Sequence, residues 1–227
     1  RACNFFIAAS LIIAAGHLAE LLVDGFGVYR SLDLFSILVL VLASSQALMF
    51  TFMLILLFDS RYVTFANVMK HAAPSLVFIL LYVVSCCIEA DVCVYSLAEW
   101  RACVVHNLPL AVRTLFGVTY TVQLFVYVRL FFRKKHRYIT HLKELTGECI
   151  SKLELRWTMR AFLYALSIGI GAWVLLVCPG PIPEFSFSFL IVVFYPAFAW
   201  LYTNYHYTYE MLRRFIVEQD GKESDSA

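Results

Sequence analysis

The sequence predicts an all-α, polytopic membrane bundle of six transmembrane helices, and three observations predict it. The chain of 227 residues is 62% hydrophobic and only 15% charged, with a mean hydropathy of +0.78. A soluble domain is nearer about half apolar and a quarter charged. The apolar residues gather into six runs, each near the roughly 20 residues needed to cross hydrocarbon about 30 Å thick. The Lys and Arg residues collect on alternate loops. No water-soluble core of this size hides so much apolar surface, so lipid must cover part of it.

The spans follow in order. The first covers about Asn4–Val23 and the second about Leu34–Phe58. The third covers about Pro74–Cys93, with Pro74 in the first turn, where its missing N–H costs nothing. The fourth is about Leu108–Phe132, the fifth about Trp157–Cys178 and the sixth about Phe185–Leu212. Long continuous runs favour helices, because a barrel strand alternates over roughly 10 residues. Gly25 and Gly27 separate the first two spans, and Pro179-Gly180-Pro181-Ile182-Pro183 predicts a tight non-helical link before the sixth. Residues 1–217 form one bundle, and the polar stretch 218–227 is expected to be a disordered cytoplasmic tail. No short apolar region with an A-x-A pattern opens the chain, so no signal peptide is expected.

Charge orients the bundle. Arg30 and Arg101 lie on one side and Arg113 just inside the fourth span, whereas 15 of the 18 Lys and Arg lie on the other. Positive loops stay cytoplasmic. The loops after the second and fourth spans, and both ends of the sequence, are therefore expected inside. Arg133-Lys134-Lys135-His136-Arg137 carries the fourth span into the cytoplasm, where it is expected to meet anionic lipid headgroups. Neither the plasma membrane nor an endomembrane is favoured.

Catalytic signatures are missing. There is no G-x-S-x-G, H-E-x-x-H, C-x-x-C, P-loop or G-x-G-x-x-G. Of the six histidines only His17 lies well inside a predicted span, so paired haem ligation is not expected. We expect no enzyme, metal, cofactor or nucleic-acid partner.

Ionisable groups at membrane depth are costly and usually face an interior or a wet cavity. His17 and Glu20 share a face of the first span. Glu20 near its outer end and Arg113 near the outer end of the fourth share a depth. Two readings stand: both face one outer cavity, as an ion pair or as ligand contacts, or each snorkels to the interface. Trp173 lies in the outer part of the fifth span, as a ligand contact or as part of the aromatic belt. Gln46, near Ser44 and Ser45, needs a partner at mid-membrane, either another helix or a ligand. Pro196, mid-way along the sixth span, predicts a kink, static or a hinge. Cys93 and Cys103 bracket an outer loop; a disulfide between them and two free thiols are both compatible with the spacing.

Asn4-x-Phe6 opens the first span, and Asp59-Ser60-Arg61-Tyr62 closes the second like a D-R-Y with an added serine. Arg129–Arg137 extends the fourth span, Tyr195-Pro196 interrupts the sixth, and Glu210–Phe215 follows it. In this order and polarity the chain resembles helices two to seven of a rhodopsin-like G-protein-coupled receptor. The resemblance implies a ligand cavity lined by His17, Glu20, Arg113 and Trp173. It also implies a cytoplasmic signalling partner docking near Asp59, Arg61, Tyr62, Arg133, Lys134 and Lys135, with Pro196 as a switch. A small transporter, a channel subunit and an assembly scaffold are the alternatives. A transporter of two broken-helix halves is disfavoured, since Pro196 has no counterpart in the third span.

Overall fold

The computed structural model describes Ile7, Leu11 and residues 33–59, 61–146 and 148–200, without the side chains of 57–58, 141–146 and 148–157. Ile7 and Leu11 are helical and exposed; otherwise the first predicted span, with His17 and Glu20, lies outside the described residues, as does the tail 218–227. Among the described residues all regular structure is helical. The elements are α1 (Ile37–Phe58), α2 (Phe65–Ile88), α3 (Leu97–Cys103), α4 (Leu108–Thr146) and α5 (Glu148–Val177), followed by α6 (Pro181–Trp200). All but α3 are long and apolar enough to cross a membrane, in windows of 20 to 33 residues with mean hydropathy between 1.5 and 2.2. At 1.5 Å per residue even the shortest window reaches about 30 Å.

Several boundaries differ from the sequence expectation. α2 begins at Phe65, not Pro74, and ends at Ile88, short of Cys93. Local capping sets its start: the Thr64 hydroxyl accepts the Asn67 N–H at 3.3 Å, and the Asn67 amide donates to the Tyr62 carbonyl at 2.8 Å. Pro74 therefore lies inside the helix, and His71 does too, so His17 is not the one histidine within a span. α4 continues past Phe132 to Thr146, and α5 starts at Glu148 rather than Trp157. The proline-rich link is shorter than expected. Pro181 and Pro183 join the first turn of α6, where a missing N–H is tolerated, and the Glu184 N–H reaches the Gly180 carbonyl at 3.0 Å. The short α3 was not anticipated; Ser96 caps it by accepting the Glu99 N–H at 3.2 Å.

α1, α4 and α6 run from the end that carries α3 towards the basic end, and α2 and α5 return. Among the described helices α1 is the most central. Of its apolar window 61% is buried, against 6% for α2 and 11% for α6. It packs on α2, α4 and α5, and Phe50 meets Phe194 and Phe198 of α6 with ring centroids 5.0 and 5.1 Å apart. Between α4 and α5, Phe131 and Phe162 stack at 3.9 Å. The outward faces are apolar as well: Leu80 of α2 is 63% exposed, Phe125 of α4 72% and Phe185 of α6 75%.

Candidate functional site

α4 is tied to the flanks of α1 at both ends, and the two ties are the site. At the α3 end, Asn107 sets the register. Its side-chain carbonyl accepts the Leu110 N–H at 3.0 Å, and its amide donates to the Ala90 carbonyl at 3.0 Å. The Glu89 carboxylate accepts the Leu108 N–H at 2.9 Å, a favourable charge at a helix N-terminus. These bonds lay the extended stretch after α2 across the start of α4. Arg113, just over one turn into α4, then lies beneath Asp91 and Val92.

Arg113 is almost fully buried. Its Nη1 donates to Asp33 Oδ2, and its Nη2 lies 3.2 Å from Asp91 Oδ1 and donates to the Val92 carbonyl at 2.9 Å. The Tyr82 hydroxyl donates to Asp91 Oδ2 at 2.8 Å. Arg113 Nε has no acceptor among the described groups. Removing a charge from water costs several kcal/mol unless paired charges and hydrogen bonds restore it. Here one cation meets two carboxylates, so the cluster carries a net negative charge when both are ionised.

A strained turn holds the other half of this cluster. Phe35 has φ 54°, in the left-handed region that a bulky side chain rarely adopts. The turn is held from two sides: the Leu34 N–H donates to the Val94 carbonyl at 2.8 Å and the Phe35 N–H to the Leu176 carbonyl at 3.0 Å. The Phe35 ring lies over Gly117 of α4, where an added Cβ would stand 2.6 Å from Cδ1. Trp100 of α3 lies 6.2 Å from the same ring and donates to the Thr114 hydroxyl at 3.0 Å.

At the basic end, Lys134 Nζ lies 2.8 Å from Asp59 Oδ2 and 3.7 Å from the Tyr62 ring centroid. This hydrogen bond to the Lys134 ammonium holds the Asp59 carboxyl below its ordinary value of 3.8. The Tyr62 N–H donates to Asp59 Oδ1 at 3.1 Å, and its hydroxyl lies 3.3 Å from His71 Nε2. From His71 the polar groups continue inward: Gln123 Nε2 reaches the His71 carbonyl at 3.5 Å and the Ser75 hydroxyl at 3.3 Å. Arg113 and Lys134 are 21 residues apart, about 31 Å along α4.

The structure thus brings Asp59, Tyr62 and Lys134 together. It leaves Arg61 and Arg133 exposed and Lys135 half-buried. Arg113 is turned inward rather than snorkelling, and its partners are Asp33 and Asp91; Glu20 lies outside the described residues. Trp173 stands apart from that cluster. It is 41% exposed and donates to Thr121, eight residues or about 12 Å further along α4. Pro196 lies exposed on a continuous α6, with the buried Phe194 and Phe198 on the other face. Cys93 and Cys103 are both free thiols, one of the two arrangements their spacing allows; Cys93 sits in the stretch held by Arg113 and Asn107, and Cys103 ends α3. Sequence reasoning missed Asp33 and Asp91. The available signal was that a buried arginine needs a carboxylate at its own depth, and both flank spans at that end.

A small cavity of about 20 Å3 opens among Thr51, Leu54, Tyr127, Val128 and Phe162, room for a water rather than an organic ligand. Among the described residues no group of His, Cys, Asp and Glu could hold a metal ion.

Among the described residues, a helical bundle with an apolar outer face, five membrane-length helices and a buried arginine between two carboxylates near one end has the make-up of an integral membrane protein. Compared with known proteins, the chain matches no family, no curated protein and no solved structure.

Proposed function

We propose that this chain is a receptor-like integral membrane protein that couples the Arg113 cluster on the outer side to the Asp59–Lys134 latch on the cytoplasmic side. One observation carries this reading: the same helix, α4, is ion-paired at both ends to residues that flank α1. A change at one tie therefore bears on the other through a rigid element. Three features support it further: the strained Phe35 turn, the Arg113 Nε with no acceptor among the described residues, and the line from Gln123 through His71 to Tyr62. An outer ligand with an acidic or strongly accepting group would compete with Asp33 or Asp91 for Arg113. The response would be a helix shift that frees the inner end of α4 for a signalling protein.

A second reading, a membrane scaffold or channel subunit without signalling, is favoured by one observation. The guanidinium is already occupied by two internal carboxylates and a carbonyl. One experiment separates the two. Spin labels at Ala66 and Thr140, in a cysteine-free background, report the distance between α2 and α4 at the basic end. The receptor reading expects Asp33→Asn with Asp91→Asn to shift that distance by about 1–2 Å, the scale of interface helix movements, or by about 5 Å if α4 moves by a full turn. An unchanged distance distribution removes the coupling and leaves the scaffold.

A further inference from the structure

α4 carries two opposed stripes. The inward one runs Arg113, Phe116, Tyr120, Gln123 and Tyr127, all buried, and continues to Lys134 in its pair with Asp59. The outward one runs Leu115, Val118, Val122 and Phe125, each more than half exposed. At 3.6 residues per turn this outward stripe continues through Arg129, Arg133 and Arg137, and all three are exposed. The lipid-facing surface therefore changes from hydrocarbon to guanidinium within about one turn.

The change falls at a telling depth. Arg129 lies about 24 Å and Arg133 about 30 Å beyond Arg113 along the helix, and the hydrocarbon layer is about 30 Å thick. With Arg113 placed at the opposite edge of that layer, Arg133 falls at the headgroup level, Arg129 about one turn inside it and Arg137 about one turn outside. Among the described residues none of them is paired with a carboxylate, whereas the neighbouring Lys134 is held by Asp59 and Tyr62. Helical angle thus divides one basic run into an internal lysine and a free arginine stripe. Guanidinium is suited to phosphate because its planar fork bonds two oxygens at once.

We propose that Arg129, Arg133 and Arg137 form a lateral site for anionic phospholipid headgroups in the leaflet at the basic end. The site rests on bilayer placement alone, independently of any signalling role. The test reconstitutes the full chain in phosphatidylcholine and adds trace spin-labelled phosphatidylglycerol or phosphatidylcholine. The motionally restricted fraction of each label gives their relative affinity. A basic residue near a membrane surface is worth about a fivefold preference, so the wild type should favour phosphatidylglycerol at least fivefold. Arg129→Gln, Arg133→Gln and Arg137→Gln together should bring the ratio to near one, and the three Arg→Lys changes should keep most of it. If the glutamine triple variant fails to fold, Arg133→Gln alone should lower the ratio several-fold. Equal affinities in the wild type would overturn the proposal and favour an acidic protein segment as occupant. A preference that persists undiminished in the folded glutamine variants would overturn it too.

Discussion

Arg113→Met should be the most destabilising single change at the α3 end. The methionine keeps most of the aliphatic stem and removes the charge. Asp33 and Asp91 then face each other in a poorly hydrated site with no cation between them, and the Val92 carbonyl loses its donor. Breaking a buried ion pair from one side costs about 3–5 kcal/mol. The two carboxylates share one guanidinium, so their contributions do not simply add. The expected loss is two to four powers of ten in the folding equilibrium, at about 1.4 kcal/mol per power of ten. Unfolding in mixed micelles with increasing anionic detergent, followed by far-ultraviolet circular dichroism, measures it. Asp33→Asn with Asp91→Asn in the Arg113→Met background should recover part of the loss, because the uncompensated charge is gone. A cost of under about 1 kcal/mol is what an exposed, snorkelling arginine would give. Such a value, with no recovery in the triple variant, would refute the buried-pair account.

The other end should behave differently. Asp59 is about one-third exposed, so Lys134→Met should cost no more than about 1 kcal/mol, and a double-mutant cycle with Asp59→Asn should show a coupling of that size. The Asp59 carboxyl titrates below its ordinary value of 3.8, chiefly through its hydrogen bond to Lys134. Its contribution to stability is therefore complete above that value and fades as pH falls through the lower folded one; acid unfolding of Asp59→Asn should lack this component. Gly117→Ala pushes a Cβ against the Phe35 ring at 2.6 Å and should cost about 1–3 kcal/mol by overpacking. Phe35→Ala in the same chain should relieve that clash, which thermal unfolding of the single and double variants would reveal.

The membrane-length helices were legible because each carries its own signal, length and hydropathy within one contiguous window. Helix ends were less so. The start of α2 depends on Thr64 and Asn67 rather than on apolar content, and the extension of α4 to Thr146 runs through charged residues that a hydropathy window ends on. At the site, depth alone leaves two readings of Arg113, a counter-charge or snorkelling. Its partners were not legible, because Asp33 is 80 residues away in sequence and reaches Arg113 only through a turn held by Val94 and Leu176. Helical phase explains the division among the basic residues. Lys134 lies one residue from Arg133 yet about 100° further round the helix, enough to reach Asp59, a distinction that a count of positive charges in a loop does not make.

Bilayer crossing by α4 places the Arg113 cluster and the Lys134 tie on opposite faces of the membrane. Nitroxide labels placed one at a time at Leu115, Val118, Val122, Val126 and Arg133 of the reconstituted chain test it through collision with oxygen and with a water-soluble nickel complex. The account predicts oxygen access highest near Val122 and falling towards both ends, with nickel access the reverse. Nickel access that is uniformly high along the stripe would mean that this face meets water, and would contradict a membrane-spanning α4.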